Sequence, residues 1–293
     1  MAQRYLDPKN DIVFKRIFGE HPLILRSFLN ALLPLPEDGQ IASLEYLPAE
    51  QVPQLPLLKN SIVDVRCRDQ QGRQFIVEMQ MNWTSAFLQR VLFNASKAYV
   101  RQLDRGIMYE FLQPVIGLSV LDAVFEDDST DFYHHYQLVK VGDPERIIDG
   151  LQLVFIELPK FNAGGQIAPL KRAWLRFLRE TGDTNTVEEA GVLNAEVASQ
   201  APEIREALEL SAEAGFSRGE LEAYDRYWDV VRTERTLLSG KYKEGLEQGM
   251  EQGIQQGMEQ GLQQGREAER AAILDRLMAG GMDEQEARNL LGG

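Results

Sequence analysis

The sequence predicts an α/β protein in which a mixed sheet is flanked by helices, followed by a helical C-terminal region. Three observations support this fold class. Two amphipathic helical segments come first, strand-like segments with one intervening helix follow, and the pattern beyond Pro169 is helical. A helix-helix-strand-strand-strand-helix-strand order is typical of an α/β sandwich around a mixed sheet.

The first two helices are expected over residues 7–18 and 22–33. Asp7 followed by Pro8 is typical of a helix start, because aspartate caps a helix and proline fits its first turn. Gly19 is the expected stop of the first helix. Strands are predicted over residues 41–47, 61–68, 73–80, 115–121, 132–141 and 151–158, and a helix over 84–103.

Three regions are expected from these patterns: a core domain over residues 1–165, a helical region over 166–240, and a repeat tail with terminal helices over 241–293. The tail has a glycine at every fourth position from Gly245 to Gly265, with apolar residues in the same register. Glycine costs about 1 kcal/mol relative to alanine in a helix. The tail is therefore either a flexible acidic linker or a self-association helix, and a helical pair is predicted around Gly280 and Gly281.

The net charge of −14 argues against a DNA-binding protein of the ordinary basic kind. This acidity is unevenly distributed, with +1 over residues 1–110, −7 over 111–200 and −8 over 201–293. The sequence contains no run of eighteen apolar residues, so no membrane span is expected. Cys67, the single cysteine, is expected to be a core residue, and a cytoplasmic location is the simplest interpretation.

The segment from Ser61 to Gln80 is predicted to be a β-hairpin that turns at Gly72 with positive φ. A three-residue loop then sets Asp64 directly opposite Glu78, with Gln80 two residues further on the same face. A loop one residue longer would instead put the two acids on opposite faces. The other face is expected to be the core side; it collects Val63, Val65, Cys67, Phe75, Val77 and Met79.

Two opposed carboxylates destabilise a sheet unless a cation lies between them. Hard oxygen ligands favour Mg²⁺ or Mn²⁺, and the Met79 carbonyl is a candidate third ligand. Such an ion activates water and polarises a phosphoryl oxygen, and Gln80 is a candidate for orienting the water. The alternative is that both acids are simply solvated on an exposed sheet face.

Further candidates lie on the helices. Asp11 is either a third acid or a residue that interacts favourably with the start of the first helix. On the helix after the hairpin, Lys97 shares a polar face with Arg90, Asn94 and Arg101; these side chains either contact the site and phosphates or form a solvated face.

The spacing Asp64-(x)13-Glu78-x-Gln80 follows an N-terminal motif, Asp7-Pro8-Lys9-Asn10-Asp11-x-x-Phe14-Lys15-x-x-Phe18-Gly19. Together with the glycine-repeat tail, these residues resemble the Rpn family of recombination-promoting nucleases and transposase-like proteins, in the PD-(D/E)xK nuclease superfamily. The resemblance covers about residues 4–125, and the tail more loosely.

This resemblance implies a restriction-endonuclease-like core and a divalent metal that supports hydrolysis of DNA phosphodiesters, associated with recombination or phage defence. Asp64 and Glu78 match the two metal-binding acids, and Asp11 matches an acid on helix one. Gln80 stands where the superfamily usually has lysine, so positive charge is missing there; Lys97 is one candidate to supply it.

Three hypotheses follow from the sequence. The first is a metal-dependent DNA endonuclease. The second is a degenerate nuclease fold that acts as a DNA-binding or assembly module. The third concerns the tail, which is expected to drive homo-oligomerisation and tune activity.

Overall fold

The computed structural model describes residues 4–51, 61–84, 86–103, 108–182, 199 and 201–290. The chain divides into two compact units, Met1–Arg232 and Thr233–Gly293. The first contains a six-stranded sheet in the order β1-β4-β5-β6-β8-β7 and a two-stranded sheet of β2 and β3. The strands are β1 Leu44–Tyr46, β2 Glu50–Gln51, β3 Ser61–Ile62, β4 Val65–Asp69, β5 Gln74–Gln80, β6 Val115–Leu121, β7 Tyr133–Lys140 and β8 Asp143–Glu157.

The large sheet is mixed, as predicted. Strand β6 pairs in parallel with β5 and with β8, whereas the β1–β4, β4–β5 and β7–β8 pairs are antiparallel. The described helices are α1 Asp11–Phe18, α2 Pro22–Leu32, α3 Phe87–Val100, α4 Pro169–Glu180, α5 Pro202–Leu210, α6 Arg218–Ala279 and α7 Glu284–Leu290.

Helix α1 begins later than the sequence predicted. Its N-cap is Asn10, whose side chain accepts a hydrogen bond from the Ile12 amide at 3.0 Å. Asp7 and Pro8 instead form a preceding turn, in which the Asp7 carboxylate accepts from the Lys9 amide at 2.9 Å. Aspartate and asparagine are both good N-cap residues. Here Asn10 caps the helix, and the Asp7 side chain bonds within the preceding turn instead. Gly19 ends the helix as expected, with a right-handed φ of −89°.

Helices cover both faces of the sheet, so strand β6 is buried along its whole length. One face packs on α1, α2, α4 and α5 in a core rich in aromatic side chains. Phe28 lies 4.5 Å from the Phe18 ring and 5.5 Å from the Trp174 ring, measured between centroids. Trp174 is completely buried in this same core. Helix α4 thus shares the core of the sheet. The domain boundary near residue 165 stays a prediction.

The other sheet face packs on α3. Ala95 and Ala98 of this helix contact a cluster that contains Val63 and Ile76. Val63 was expected on the opposite, core-side face with Val65 and Val77, and this prediction was wrong. The predicted strand over residues 61–68 is interrupted between Ile62 and Val65, and the interruption breaks the alternation that the prediction assumed.

The repeat tail is helical: α6 runs continuously through all six repeat glycines. The break predicted at Gly280 and Gly281 is confirmed, with Gly281 at φ +91° between α6 and α7. Residues 291–293, the end of the predicted tail with its terminal helices, lie outside the described residues. In the part of the chain that the structure describes, no helix combines the length and apolarity needed to span a membrane.

Candidate active site

The β4–β5 hairpin has the register that its sequence predicted. Val65 pairs with Val77 and Cys67 with Phe75, and the ladder ends at Val65, one residue after Asp64. Gly72 adopts φ +85° in the turn, as expected. Asp64 and Glu78 line one cavity of about 240 Å³, together with Val63, Met79, Gln80 and Arg90.

Asp64 lies at the interruption between β3 and β4, where the chain leaves the ladder. Its Oδ2 accepts a hydrogen bond from the Met79 backbone amide at 2.7 Å, which ties the carboxylate to β5. Burial raises the pKa of Asp64 to about 6, against the lowering effect of this hydrogen bond. The nearby charges of Asp11 and Glu78 raise the pKa further, and Lys15 lowers it.

Glu78 is 7% exposed, because α3 covers this face of the sheet. The alternative of two acids solvated on an open sheet face is therefore wrong. Asn94 of α3 donates from Nδ2 to Glu78 Oε1 at 2.9 Å. Burial raises the pKa of Glu78, while the Asn94 hydrogen bond and the charge of Arg90 lower it. Helix α3 thus positions the Glu78 carboxylate through Asn94. Because the carboxyl group is buried, its ionisation costs free energy unless a cation lies beside it.

Gln80 is held by two hydrogen bonds at the cavity. Its Nε2 donates to the Asn82 carbonyl at 2.6 Å, and its Oε1 accepts from Arg90 Nη2 at 2.6 Å. Arg90 also lies 5.0 Å above the ring centroid of Phe87, one turn earlier on α3. The sequence placed Arg90 and Asn94 on one polar face with Lys97 and Arg101, and it selected Lys97 for the site. In the structure, Arg90 is the member of this face that lines the cavity.

The two remaining predicted site residues, Asp11 and Lys97, are not among the residues that line the cavity. Asp11 forms an ion pair with Lys15 at 2.8 Å, one turn apart on α1, and both charges act on Asp64. The pairing with Lys15 could have been recognised from the four-residue spacing. Lys97 lies beyond Asn94 on α3, where its ammonium is 5.8 Å from the Phe93 ring; it does not line the cavity.

The donor set fits a hard divalent cation. Two carboxylates, both disfavoured as anions by burial, face one cavity beside the Met79 backbone. Within the described ranges, no three His, Cys, Asp or Glu residues are grouped closely enough to hold an ion by themselves. Magnesium is usually bound through one or two carboxylates and keeps several waters, so two acids are sufficient.

The mixed six-stranded sheet and its flanking helices form a PD-(D/E)XK nuclease-like α/β core. A family model described as "PD-(D/E)XK nuclease family transposase" matches residues 8–239, and the chain belongs to this family. No curated protein and no solved structure matches the chain.

Proposed function

We propose that this protein is a DNA endonuclease that hydrolyses phosphodiester bonds with Mg²⁺ or Mn²⁺ at the Asp64–Glu78 cavity. The observation that carries the proposal is a cavity lined by two like-charged carboxyl groups, Glu78 buried and Asp64 partly buried, whose pKa values are both raised by desolvation. Such an arrangement destabilises the folded chain unless a cation binds there. Membership of a nuclease family supports DNA as the substrate and a role in recombination, mobile-element or phage-defence biology.

The residues have separable roles in this proposal. Asp64 and Glu78 each use one oxygen in a hydrogen bond to the protein, and their second oxygens are assigned to the ion, with the Met79 carbonyl as a further ligand. When bound, the ion supplies positive charge that activates water and polarises the phosphoryl oxygen. Water then bonds to phosphorus, one P–O ester bond breaks, and the leaving oxygen takes up a proton. Asp11 biases the charge of Asp64 from α1.

Plasmid cleavage tests this proposal. Purified protein with Mg²⁺ or Mn²⁺ should nick or linearise supercoiled plasmid, and EDTA should abolish the reaction. Asp64→Ala and Glu78→Ala should each lose activity by about a hundredfold or more, because each removes a ligand of the ion. Asp143→Ala is the matched control, since it removes an acid that pairs with Arg146 on the β7–β8 hairpin. Equal cutting by Asp64→Ala and wild type would refute the nuclease assignment.

A second candidate is a nuclease fold with weak or absent turnover that acts as a DNA-binding or assembly module. The observation that favours it is the engagement of both ends of the Gln80 amide, at the position where the superfamily usually has lysine. Calorimetric titration with Mn²⁺ distinguishes the two. The nuclease requires metal affinity that Asp64→Ala removes, whereas the module predicts none, even with DNA present.

We also propose that the chain forms homo-oligomers through the repeat tail. The apolar members of the repeat on α6 are 53–72% exposed: Leu246, Met250, Ile254, Met258 and Leu262. A helix that contains the six repeat glycines gains little from intrinsic propensity, so contact with another helix would stabilise it. Sedimentation of a chain that ends before Gly245 tests this, and an unchanged oligomeric state would exclude the tail.

A further inference from the structure

Cleavage at this cavity brings a phosphate anion next to two carboxylates. The ion offsets part of this negative charge, and PD-(D/E)xK sites usually add a lysine at the position that Gln80 occupies here. A further positive group from the protein is therefore needed for the proposed function, on which this inference rests.

Arg90 meets this need by its position. Its guanidinium reaches the cavity from α3 and donates from Nη2 to Gln80 Oε1 at 2.6 Å. Contact with the face of Phe87, which is 1% exposed, restricts the side chain further. Arg90 is an exposed residue that also lines the cavity, and its charge acts on buried Glu78, so the guanidinium lies at the mouth of the cavity.

The orientation of Gln80 is determined by its second hydrogen bond. Because Nε2 donates to the Asn82 carbonyl, Oε1 is directed towards Arg90. The Gln80 carbonyl oxygen is therefore the atom that accepts the hydrogen bond from the Arg90 guanidinium. A guanidinium has five N–H donors in a planar fork that matches phosphate oxygens, so one donor can hold Gln80 while others contact substrate.

We infer that Arg90 is the phosphate-contacting cation of this site and that Gln80 positions it, so that the Gln80–Arg90 pair takes the place of the usual lysine. The sequence expectation assigned missing charge to Lys97, which lies further along α3 and outside the cavity lining. Arg90 and Lys97 therefore predict different mutational results.

The test compares Arg90→Gln, Arg90→Lys and the double variant Gln80→Lys/Arg90→Gln with wild type. Arg68→Gln is the control, because it removes the same charge from an exposed position on β4 that pairs with Glu45. Three quantities are measured: single-turnover plasmid cleavage in Mg²⁺, binding of a labelled DNA duplex in Ca²⁺ by anisotropy, and Mn²⁺ affinity by calorimetry. Thermal melting checks that each variant is folded.

Arg90→Gln should cut about a hundredfold more slowly, the usual effect of removing one donor to developing charge. It should bind duplex about tenfold more weakly, with Mn²⁺ affinity retained. Arg90→Lys should keep part of the activity, and the double variant should exceed Arg90→Gln, because it returns a cation to the cavity. Arg68→Gln should remain within twofold of wild type in cleavage.

Three results would overturn the inference: Arg90→Gln equal to Arg68→Gln in both DNA assays, loss of Mn²⁺ affinity in Arg90→Gln, or a double variant no better than Arg90→Gln. The first would exclude phosphate contact, and the second would show that Arg90 only supports Glu78. If wild type binds duplex without cutting it, the endonuclease proposal fails while the binding assay still decides the role of Arg90. If wild type does neither, both fail.

Discussion

At the scale of single residues, the site combines groups that oppose the stability of the fold. Burial raises the pKa values of the Asp64 and Glu78 carboxyl groups. The charge of Asp11 raises the pKa of Asp64 further, and the charge of Arg90 lowers the pKa of Glu78. The sequence predicted both acids as site residues from the hairpin register, and in the structure both line one cavity. It did not identify Asn94 as the donor to Glu78 or Arg90 as the cation at the cavity, because four side chains of α3 share one face by spacing alone.

Asp64→Asn should stabilise the metal-free protein at neutral pH. The folded pKa of Asp64, about 6, lies above its ordinary value of 3.8, so the folded state binds the proton more tightly than the unfolded state. Wild-type stability is therefore lost as pH rises between these two values, and the full cost is present above about pH 6. Asparagine carries no charge and can still accept from the Met79 amide.

Thermal melting in EDTA measures this effect. The melting temperature of Asp64→Asn should exceed that of wild type by several degrees at pH 7.5, with the difference shrinking towards zero near pH 4. Asp143→Asn, at an exposed ion pair, is the control and should show no such trend. A difference that is constant with pH would contradict ionisation of Asp64 as its source.

At the scale of elements, the N-terminal turn depends on a close approach to the end of α4. Gly182 follows this helix at φ +92°, and a Cβ built there would lie 2.7 Å from the Asp7 Cα. Glycine is therefore required twice, by the backbone conformation and by the contact. The interval of 175 residues between the partners explains why the sequence assigned Asp7 to a helix cap instead of to this junction.

Gly182→Ala should destabilise the first unit more than Gly142→Ala does. Both glycines have positive φ, so each substitution carries about 1–2 kcal/mol of backbone strain. A Cβ at Gly142 meets nothing within 4 Å, whereas one at Gly182 meets the Asp7 backbone. Urea unfolding should show a cost at least about 1 kcal/mol larger for Gly182→Ala, consistent with overpacking. Equal costs would mean that the junction relaxes freely.

At the scale of the whole molecule, the residues proposed for phosphodiester hydrolysis and those proposed for self-association lie in segments of different net charge. The part with nearly balanced charge, residues 1–110, carries the acids and Arg90, and the strongly acidic part includes the repeat helix. Acidic surface repels DNA, so the repeat is better suited to contact another protein helix. A repeat of four residues drifts by roughly 40° each time around a helix, which favours a crossing partner over a straight one.

Gly253→Ala/Gly257→Ala should raise the stability of the repeat helix and weaken self-association. A Cβ at either glycine meets nothing within 4 Å, so each alanine gains about 1 kcal/mol of helix propensity. The added methyl groups would hinder close approach of a second helix. Circular dichroism on heating and sedimentation velocity measure the two effects, with Gln252→Ala/Gln256→Ala as control. Stronger association of the glycine variant would exclude the glycines from the contact surface.

Features that depend on residues close together in the chain could be predicted from the order of residues. These include the hairpin register around Gly72 and the strand over residues 115–121. Period-two and period-four patterns and turn geometry are local, and so they can be read from the order of residues.

Three features came from long-range packing: the covering of both sheet faces by helices, the interruption of the strand between Ile62 and Val65, and the choice of the α3 side chain that reaches the cavity. These depend on where α3 and α4 pack on the sheet, through contacts between residues far apart in sequence. Burial of Asp64 and Glu78 arises in the same way. The raised pKa values that favour a cation between them are therefore a product of packing, while the two carboxyl groups are given by the sequence.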